Sequence, residues 1–71
     1  MKLAIAPKTA TTAVNRSLQF KSTQPSGNTW KTDNGTINQD GMFTAPATPE
    51  NATVTLTNGT LSDTATVTVT A

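Results

Sequence analysis

The side chains that most often carry out catalysis are absent from this sequence or isolated within it. It contains no histidine, the commonest general base and metal ligand, and no cysteine, so thiol nucleophiles, thiolate metal sites and disulfides are excluded. Serine and threonine are abundant, but a nucleophilic hydroxyl needs an adjacent base. The four acidic residues fall in predicted turns and loops: Asp33, Asp40, Glu50 and Asp63. We therefore expect no catalytic residue, no cofactor and no enzymatic activity.

The stretch from residue 33 to residue 41, DNGTINQDG, concentrates oxygen-bearing side chains of the kind that bind calcium. It lacks the spacing and the closing glutamate of an EF-hand loop. Asp-Asn-Gly and Asp-Gly are first of all turn formers, because glycine accepts a positive φ without steric cost. We therefore interpret Asn34-Gly35 and Asp40-Gly41 as turns and predict no metal site.

Threonine accounts for roughly one residue in four, far above its usual share. Its β-branched side chain favours the pleated strand, and its hydroxyl tolerates water on the outer face of a sheet. The net charge is +1 and the five basic residues are scattered, so the sequence has no clustered basic patch for nucleic acid. No apolar run approaches the roughly 18 residues of a membrane span. With 71 residues, the chain is expected to form one domain over residues 1–71.

The clearest pattern is a pair of alternating segments near the C-terminus. Threonine alternates with alanine, valine and leucine over residues 51–57 and again over residues 64–70, as in strands with one buried face. The inward residues would be Ala52, Val54, Leu56, Ala65, Val67 and Val69. Asn58-Gly59, which lies between the segments, is a favoured type I′ hairpin pair. We predict that the last strand starts at Leu61, with a kink or bulge at Ser62-Asp63.

Shorter strands separated by turns are predicted in the rest of the chain. They cover residues 3–5, 12–14, 17–22, 29–32, 36–38 and 42–44, with Pro7 ending the first and a loop at residues 24–28. No segment has the apolar spacing and caps of a helix. About seven short strands, each with one apolar face, predict an antiparallel β-sandwich, with a small β-barrel as the alternative. The predicted core comprises Leu3, Ile5, Val14, Leu18, Phe20, Trp30, Ile37, Phe43, Val54, Leu56, Val67 and Val69.

A further pattern runs through nearly the whole chain. Leu18 and Phe20 precede the only tryptophan, Trp30; G-T-I at residues 35–37 and G-M-F-T-A-P at residues 41–46 follow; and A-T-V-T-V at residues 65–69 closes the chain. This order resembles bacterial immunoglobulin-like domains of group 2. The resemblance implies an immunoglobulin-like β-sandwich of about seven antiparallel strands. It would lack the cysteine pair of antibody domains and, without any tyrosine, their tyrosine corner.

The resemblance also implies a function. Such domains are spacers or weak adhesive modules on bacterial surface adhesins, on secreted polysaccharide-acting enzymes and on phage capsid, tail or fibre proteins. Because the sequence opens with Met1, shows no signal peptide and stops after its last predicted strand, we expect a phage virion accessory domain, a capsid or tail decoration that binds host cell-surface polysaccharide weakly. The alternative is a spacer or adhesion domain of a bacterial surface adhesin or secreted polysaccharide-acting enzyme. The expected location is the virion surface, or the extracellular face of a bacterium.

Two features suggest how partners would be contacted. The outward threonines of the last hairpin form an array of hydroxyls and methyls, which suits a solvated face, a protein contact or a glycan contact. Trp30 could offer a flat platform to a sugar ring, but its position within a strand favours the core. We expect protein partners (capsid, tail or neighbouring domains) and a cell-surface glycan, and neither nucleic acid nor a membrane.

Overall fold

The fold is given by a computed structural model that describes residues 3–24 and 26–71. Met1, Lys2 and Pro25 lie outside the described residues, and with them one predicted surface cation and part of the loop predicted at residues 24–28. The described residues form nine β-strands and no helix, which confirms the all-β prediction. Accordingly, this part of the chain has no helix long and apolar enough to cross a membrane.

The nine strands are arranged in three hydrogen-bonded sheets. In chain order they are β1 (Ile5–Ala6), β2 (Thr9–Ala13), β3 (Ser17–Gln19), β4 (Lys21–Ser22), β5 (Thr29–Thr32), β6 (Thr36–Ile37), β7 (Met42–Thr44), β8 (Asn51–Asn58) and β9 (Leu61–Thr70). One sheet has the order β2-β9-β8-β5, a second has the order β3-β7-β6, and β1 pairs with β4. The pairing of β2 with β9 is parallel, and the other pairings are antiparallel.

The predicted number of about seven strands is not confirmed: the structure has nine, and the segment predicted over residues 17–22 is divided in two. The two N-terminal strands predicted at residues 3–5 and 12–14 lie on either side of Pro7 and join different sheets, since β1 pairs with β4 and β2 pairs with β9. The segment predicted over residues 17–22 is interrupted at Phe20, whose N–H donates to the Gly41 carbonyl at 2.8 Å. As a result β3 pairs with β7, and β4 pairs with β1.

The last hairpin is longer and more regular than predicted. β8 and β9 pair residue for residue from Asn51 opposite Thr68 to Asn58 opposite Leu61. The predicted kink or bulge at Ser62-Asp63 is therefore wrong: both residues lie within the continuous ladder. The strong alternation of apolar and polar side chains over both strands keeps one face buried along the pair, and that fixes the register.

The turn of this hairpin also differs from the prediction. Its two central residues are Gly59 and Thr60, and of these Gly59 has a positive φ of 62°. Glycine at the first central position is the pattern of a type II′ turn, so the predicted type I′ turn centred on Asn58-Gly59 is wrong. The physical reason lies in the side chain of Asn58. Its amide Nδ2 donates to the Ser26 carbonyl (2.8 Å), and this contact holds Asn58 in the strand.

The sheets bury their apolar faces in one common core. Its buried members are Leu3, Ile5, Phe20, Trp30, Phe43, Ala45, Ala52, Val54, Leu56, Ala65, Val67 and Val69. Val14, Leu18 and Ile37, which were predicted in the core, are partly buried and pack against its edge. At its centre, Phe20 lies 6.4 Å from the Trp30 ring and 6.2 Å from the Phe43 ring, the latter edge to face. Such aromatic pairs add about 0.5–1.5 kcal/mol beyond their buried area.

Two predicted turns connect the strands around this core. Asn34 and Gly35 lie between β5 and β6. Asp40 and Gly41 lie in the connection from β6 to β7, where the Asn38 side chain accepts hydrogen bonds from two backbone N–H groups of the turn, at 2.9 and 3.0 Å. These two bonds give hydrogen-bond partners to backbone N–H groups that the β6–β7 ladder leaves unpaired.

Candidate functional site: the threonine face

The outer face of the four-stranded sheet is an array of threonines. Because side chains alternate along a strand, the residues between the buried ones on β8 and β9 point outward, and the register carries this face onto β2 and β5. We call this surface the threonine face. Its members are Thr9, Thr11, Thr29, Lys31, Asn51, Thr53, Thr55, Thr57, Ser62, Thr64, Thr66, Thr68 and Thr70.

The register places these side chains in rows across the sheet. Thr66 lies between Thr9 on β2 and Thr53 on β8, and Thr64 lies opposite Thr55. Neighbouring strands are roughly 4.8 Å apart, so each hydroxyl has another polar group beside it in the row. A threonine presents a hydroxyl that both donates and accepts, together with a methyl group. The face therefore offers hydrogen bonds and small apolar patches with little charge.

The charged groups of the face lie at one corner. Lys31, Thr32, Asp33, Thr53 and Thr55 surround a shallow depression there. Asp33 is exposed, and its Oδ1 accepts a hydrogen bond from the Thr53 N–H at 2.7 Å. A cation, a carboxylate and threonine hydroxyls thus lie around one open surface, which can bind a polar ligand but encloses none.

Trp30 does not present its ring to solvent. Its exposed fraction is 5%, and it lies between Phe20 on one side and the backbone of Gly41 on another. A second depression is lined by Trp30 together with polar side chains, among them Gln19. The Gln19 amide donates to the carbonyls of Phe20 (2.7 Å) and Asp40 (2.8 Å), so it serves to hold backbone. Trp30 therefore contributes to the core, and the ring is not placed as a sugar platform.

The oxygen-rich stretch from residue 33 to residue 41 is spread over two turns. Asp33 bonds to β8, while Asp40 is exposed in the turn before β7. Among residues 3–24 and 26–71, no three histidine, cysteine, aspartate or glutamate side chains lie close enough together to hold a metal ion.

Asp63 is the charged residue whose role the sequence reasoning missed. It lies on the inward side of β9, opposite Leu56, where its Oδ2 accepts the Ile5 N–H at 2.9 Å and its carboxylate pairs with Lys8. The hydrogen bond from Lys8 and then that from Ile5 lower the pKa of Asp63 to about 2. The signal was in the alternation itself: position 63 falls on the same face as Ala65 and Val67. A polar group there needs a partner.

Comparisons with known proteins assign the chain to no family. No protein-family model matches it, and no curated protein matches it. The resemblance to bacterial immunoglobulin-like domains accordingly stays a prediction, and the function must be inferred from the geometry of the sheets and their outer faces.

Proposed function

We propose that this protein is an immunoglobulin-like β-sandwich that acts as a non-enzymatic structural and adhesive module. The strand order supports the fold. If β1 with β2 and β3 with β4 are each counted as one interrupted strand, seven strands remain. Strand 1 is then β1 with β2, strand 2 is β3 with β4, and strands 3 to 7 are β5 to β9. One sheet has the order 1-2-5-4 and the other has the order 7-6-3, with the β2 half of strand 1 beside strand 7. Trp30 lies on strand 3. The orders 1-2-5-4 and 7-6-3 are those of immunoglobulin constant-type domains, which have a buried tryptophan on the third strand.

The threonine face is the observation that carries the adhesive function. It is broad and nearly neutral, and it is built from hydroxyls and methyls at regular spacing on strands whose other face anchors them in the core. A polysaccharide presents the matching chemistry, with hydroxyl groups around a ring that has apolar C–H faces. The corner with Lys31 and Asp33 adds two charged hydrogen-bonding groups. We infer that this face contacts host cell-surface polysaccharide from a phage capsid or tail decoration.

Weak single contacts are sufficient in such a setting. An open, shallow surface buries little of a ligand, so its intrinsic affinity is low. A virion that displays many copies turns low affinity into avidity, and overall binding can exceed that of one site by about 10²–10⁴. The proposal therefore predicts binding by arrays and little binding by the monomer.

A matched pair of variants tests the glycan contact. Thr55→Glu puts a charge on the threonine face, at the depression that Lys31 and Asp33 also line, and Thr44→Glu makes the same change at an exposed position of β7, the central strand of the three-stranded sheet. Wild-type protein and both variants would be displayed in many copies on beads. Binding would be measured to purified bacterial capsular polysaccharides and lipopolysaccharides, and to cells with and without their surface polysaccharide.

We expect beads with wild-type protein or Thr44→Glu to bind, and beads with Thr55→Glu to bind at least about tenfold less, because the carboxylate blocks the hydroxyl array. Equal binding by all three proteins, or wild-type binding that survives removal of the polysaccharide, would refute the glycan contact on this face.

A spacer or adhesion domain in a bacterial surface adhesin or secreted polysaccharide-acting enzyme is the second candidate, and the position of the chain ends favours it. Ile5 bonds to Asp63 near the start of β9, whereas Ala71 follows the last residue of the same strand, so Ile5 and Ala71 are separated by most of the length of β9. The body is elongated, with extents of 38 × 18 × 16 Å. Entry at one end and exit at the other suits a rod in a string of domains. If displayed wild-type protein binds no polysaccharide, this candidate takes precedence.

A further inference from the structure

The four-stranded sheet ends on one side at β2. Its five residues, TATTA, pair with β9, and the part of the chain that the structure describes places no strand on its other side. An edge strand presents a row of unpaired backbone N–H and C=O groups, which is a template for pairing with another chain.

The hydrogen bonds at the two ends of the β2–β9 ladder show which residues of β2 bond to β9. The Thr66 N–H donates to the Lys8 carbonyl at 3.0 Å, and the Val14 N–H donates to the Thr70 carbonyl at 2.9 Å. In a parallel ladder, alternate residues of a strand direct their backbone groups to the same neighbour. The even-numbered residues of this segment therefore bond to β9, and the odd-numbered residues of β2 turn theirs away from the sheet. Of these outward groups, the Ala13 carbonyl accepts the Arg16 N–H at 3.2 Å in the turn that follows β2.

The edges at β1, β5 and β6 carry features that discourage pairing, and the edge strands β3 and β4 are only three and two residues long. At β1, the N–H of Ile5 is occupied by the Asp63 carboxylate. At β5, which is four residues long, the exposed Lys31 supplies a charge, and β6 is only two residues long. Side-chain caps, lysines and short length are the usual means by which proteins protect sheet edges. β2 is longer than these edges, and its sequence has no charged residue, no proline and no large side chain.

We propose that two copies of this chain associate edge to edge through β2, antiparallel, about a two-fold axis at Thr11. The arrangement is self-complementary. Thr11 opposes Thr11 of the second copy, Thr9 opposes its Ala13, and these are the odd-numbered residues whose backbone groups point outward. Each such pair exchanges two hydrogen bonds in an antiparallel ladder, and the Ala13 carbonyl, which also accepts the Arg16 N–H, would be a shared acceptor. The even-numbered residues, Ala10 and Thr12, oppose one another between these pairs and are small enough to fit.

The pairing would join two four-stranded sheets into one eight-stranded sheet with a continuous threonine face. This inference rests on the strand placement alone and does not depend on the glycan contact. A five-residue edge buries less than the roughly 1,200 Å² of a standard interface, so the dimer is weak and forms at high protein concentration or high local density. A second copy suits the edge better than a foreign strand, because the two-fold axis at Thr11 places the small outward residues Thr9 and Ala13 of one copy opposite Ala13 and Thr9 of the other.

The test measures the oligomeric state of the full chain. Sedimentation velocity would be recorded from about 10 μM to about 1 mM, the range in which contacts of this size associate. Thr11→Lys brings two like charges together on the axis. Thr53→Lys makes the same change on the same face, but on interior strand β8. Trp30 fluorescence checks that each variant is folded.

We expect wild type and Thr53→Lys to dimerise with similar dissociation constants, and we expect Thr11→Lys to raise the constant at least about tenfold. Since the chain has no cysteine, Thr11→Cys gives a single thiol whose crosslinking by a short bismaleimide reports the register, with Thr53→Cys as the matched control. A wild type that stays monomeric at 1 mM overturns the proposal, even if the edge binds a foreign peptide. Dimerisation unaffected by Thr11→Lys, or equal crosslinking of both thiols, overturns it as well.

Discussion

Substituting alanine for glycine at two turns separates two costs that are usually measured together. Gly41 and Gly59 both have a positive φ, 83° and 62° respectively. A Cβ added at Gly59 would have nothing within 4 Å, whereas one added at Gly41 would lie 2.7 Å from the Phe20 carbonyl oxygen and 2.9 Å from the Trp30 ring. Gly59→Ala therefore carries the backbone cost alone, and Gly41→Ala carries the same cost together with steric overlap in the core.

The magnitudes follow from these two terms. A non-glycine residue in the left-handed region costs about 1–2 kcal/mol, which is the expected loss of unfolding free energy for Gly59→Ala. Inserting a methyl group into a close-packed site adds about 1–3 kcal/mol, because the Phe20 backbone and the indole must shift. Gly41→Ala should thus lose about 2–5 kcal/mol. Small domains have few kcal/mol to spare, so this variant should lie close to the unfolding threshold.

Urea denaturation gives both numbers in one assay. Trp30 is the only tryptophan and is buried in the core, so its fluorescence reports global unfolding. We expect the urea midpoint to fall for both variants, and to fall further for Gly41→Ala. Equal losses would refute the close approach of Gly41 to the Phe20 carbonyl and the indole.

Two further predictions concern side chains that tie distant segments together. The lowered pKa of Asp63 stabilises the fold fully above the ordinary value of 3.8, and that contribution is lost as the pH falls through about 2. Urea midpoints should therefore fall less between neutral pH and pH 2 in Asp63→Asn than in wild type, and parallel curves would contradict the Lys8–Asp63 contact. Asn58→Ala loses hydrogen bonds to the Ser26 carbonyl (2.8 Å) and to Asn28 Oδ1 (3.0 Å). We expect its unfolding free energy to fall by about 1–2 kcal/mol in the same urea assay, and no change would mean that these bonds do not hold the loop.

The regular parts of the fold were predictable because they are governed by side-chain period. Alternation over residues 51–57 and 64–70 predicted two strands with one buried face each, and the structure has β8 and β9 there. Extending the same period to residue 63 would have placed Asp63 inward and removed the bulge. A charged residue at a strand end looks like a turn in sequence, and its bonding partner Ile5 is 58 residues away.

The irregular parts depend on contacts that no local pattern contains. The interruption at Phe20 comes from a backbone hydrogen bond to Gly41, which lies far along the sequence in the connection between β6 and β7. The turn at Asn58-Gly59 was misassigned because its type depends on the loop that binds the Asn58 side chain. The threonine face was foreseen on β8 and β9, but its extension onto β2 follows from a parallel pairing between segments at opposite ends of the sequence.

That parallel pairing determines how the molecule responds to tension. The chain enters near the start of β9 and leaves at its end, while β2 runs in the same direction beside it. Stretching the protein between its two ends would therefore draw β2 and β9 past each other. The hydrogen bonds of the parallel ladder are evenly spaced, so a shearing force would load them all at the same time and would not break them one after another. The protein would therefore resist extension most strongly at the pairing of the edge strand β2 with β9.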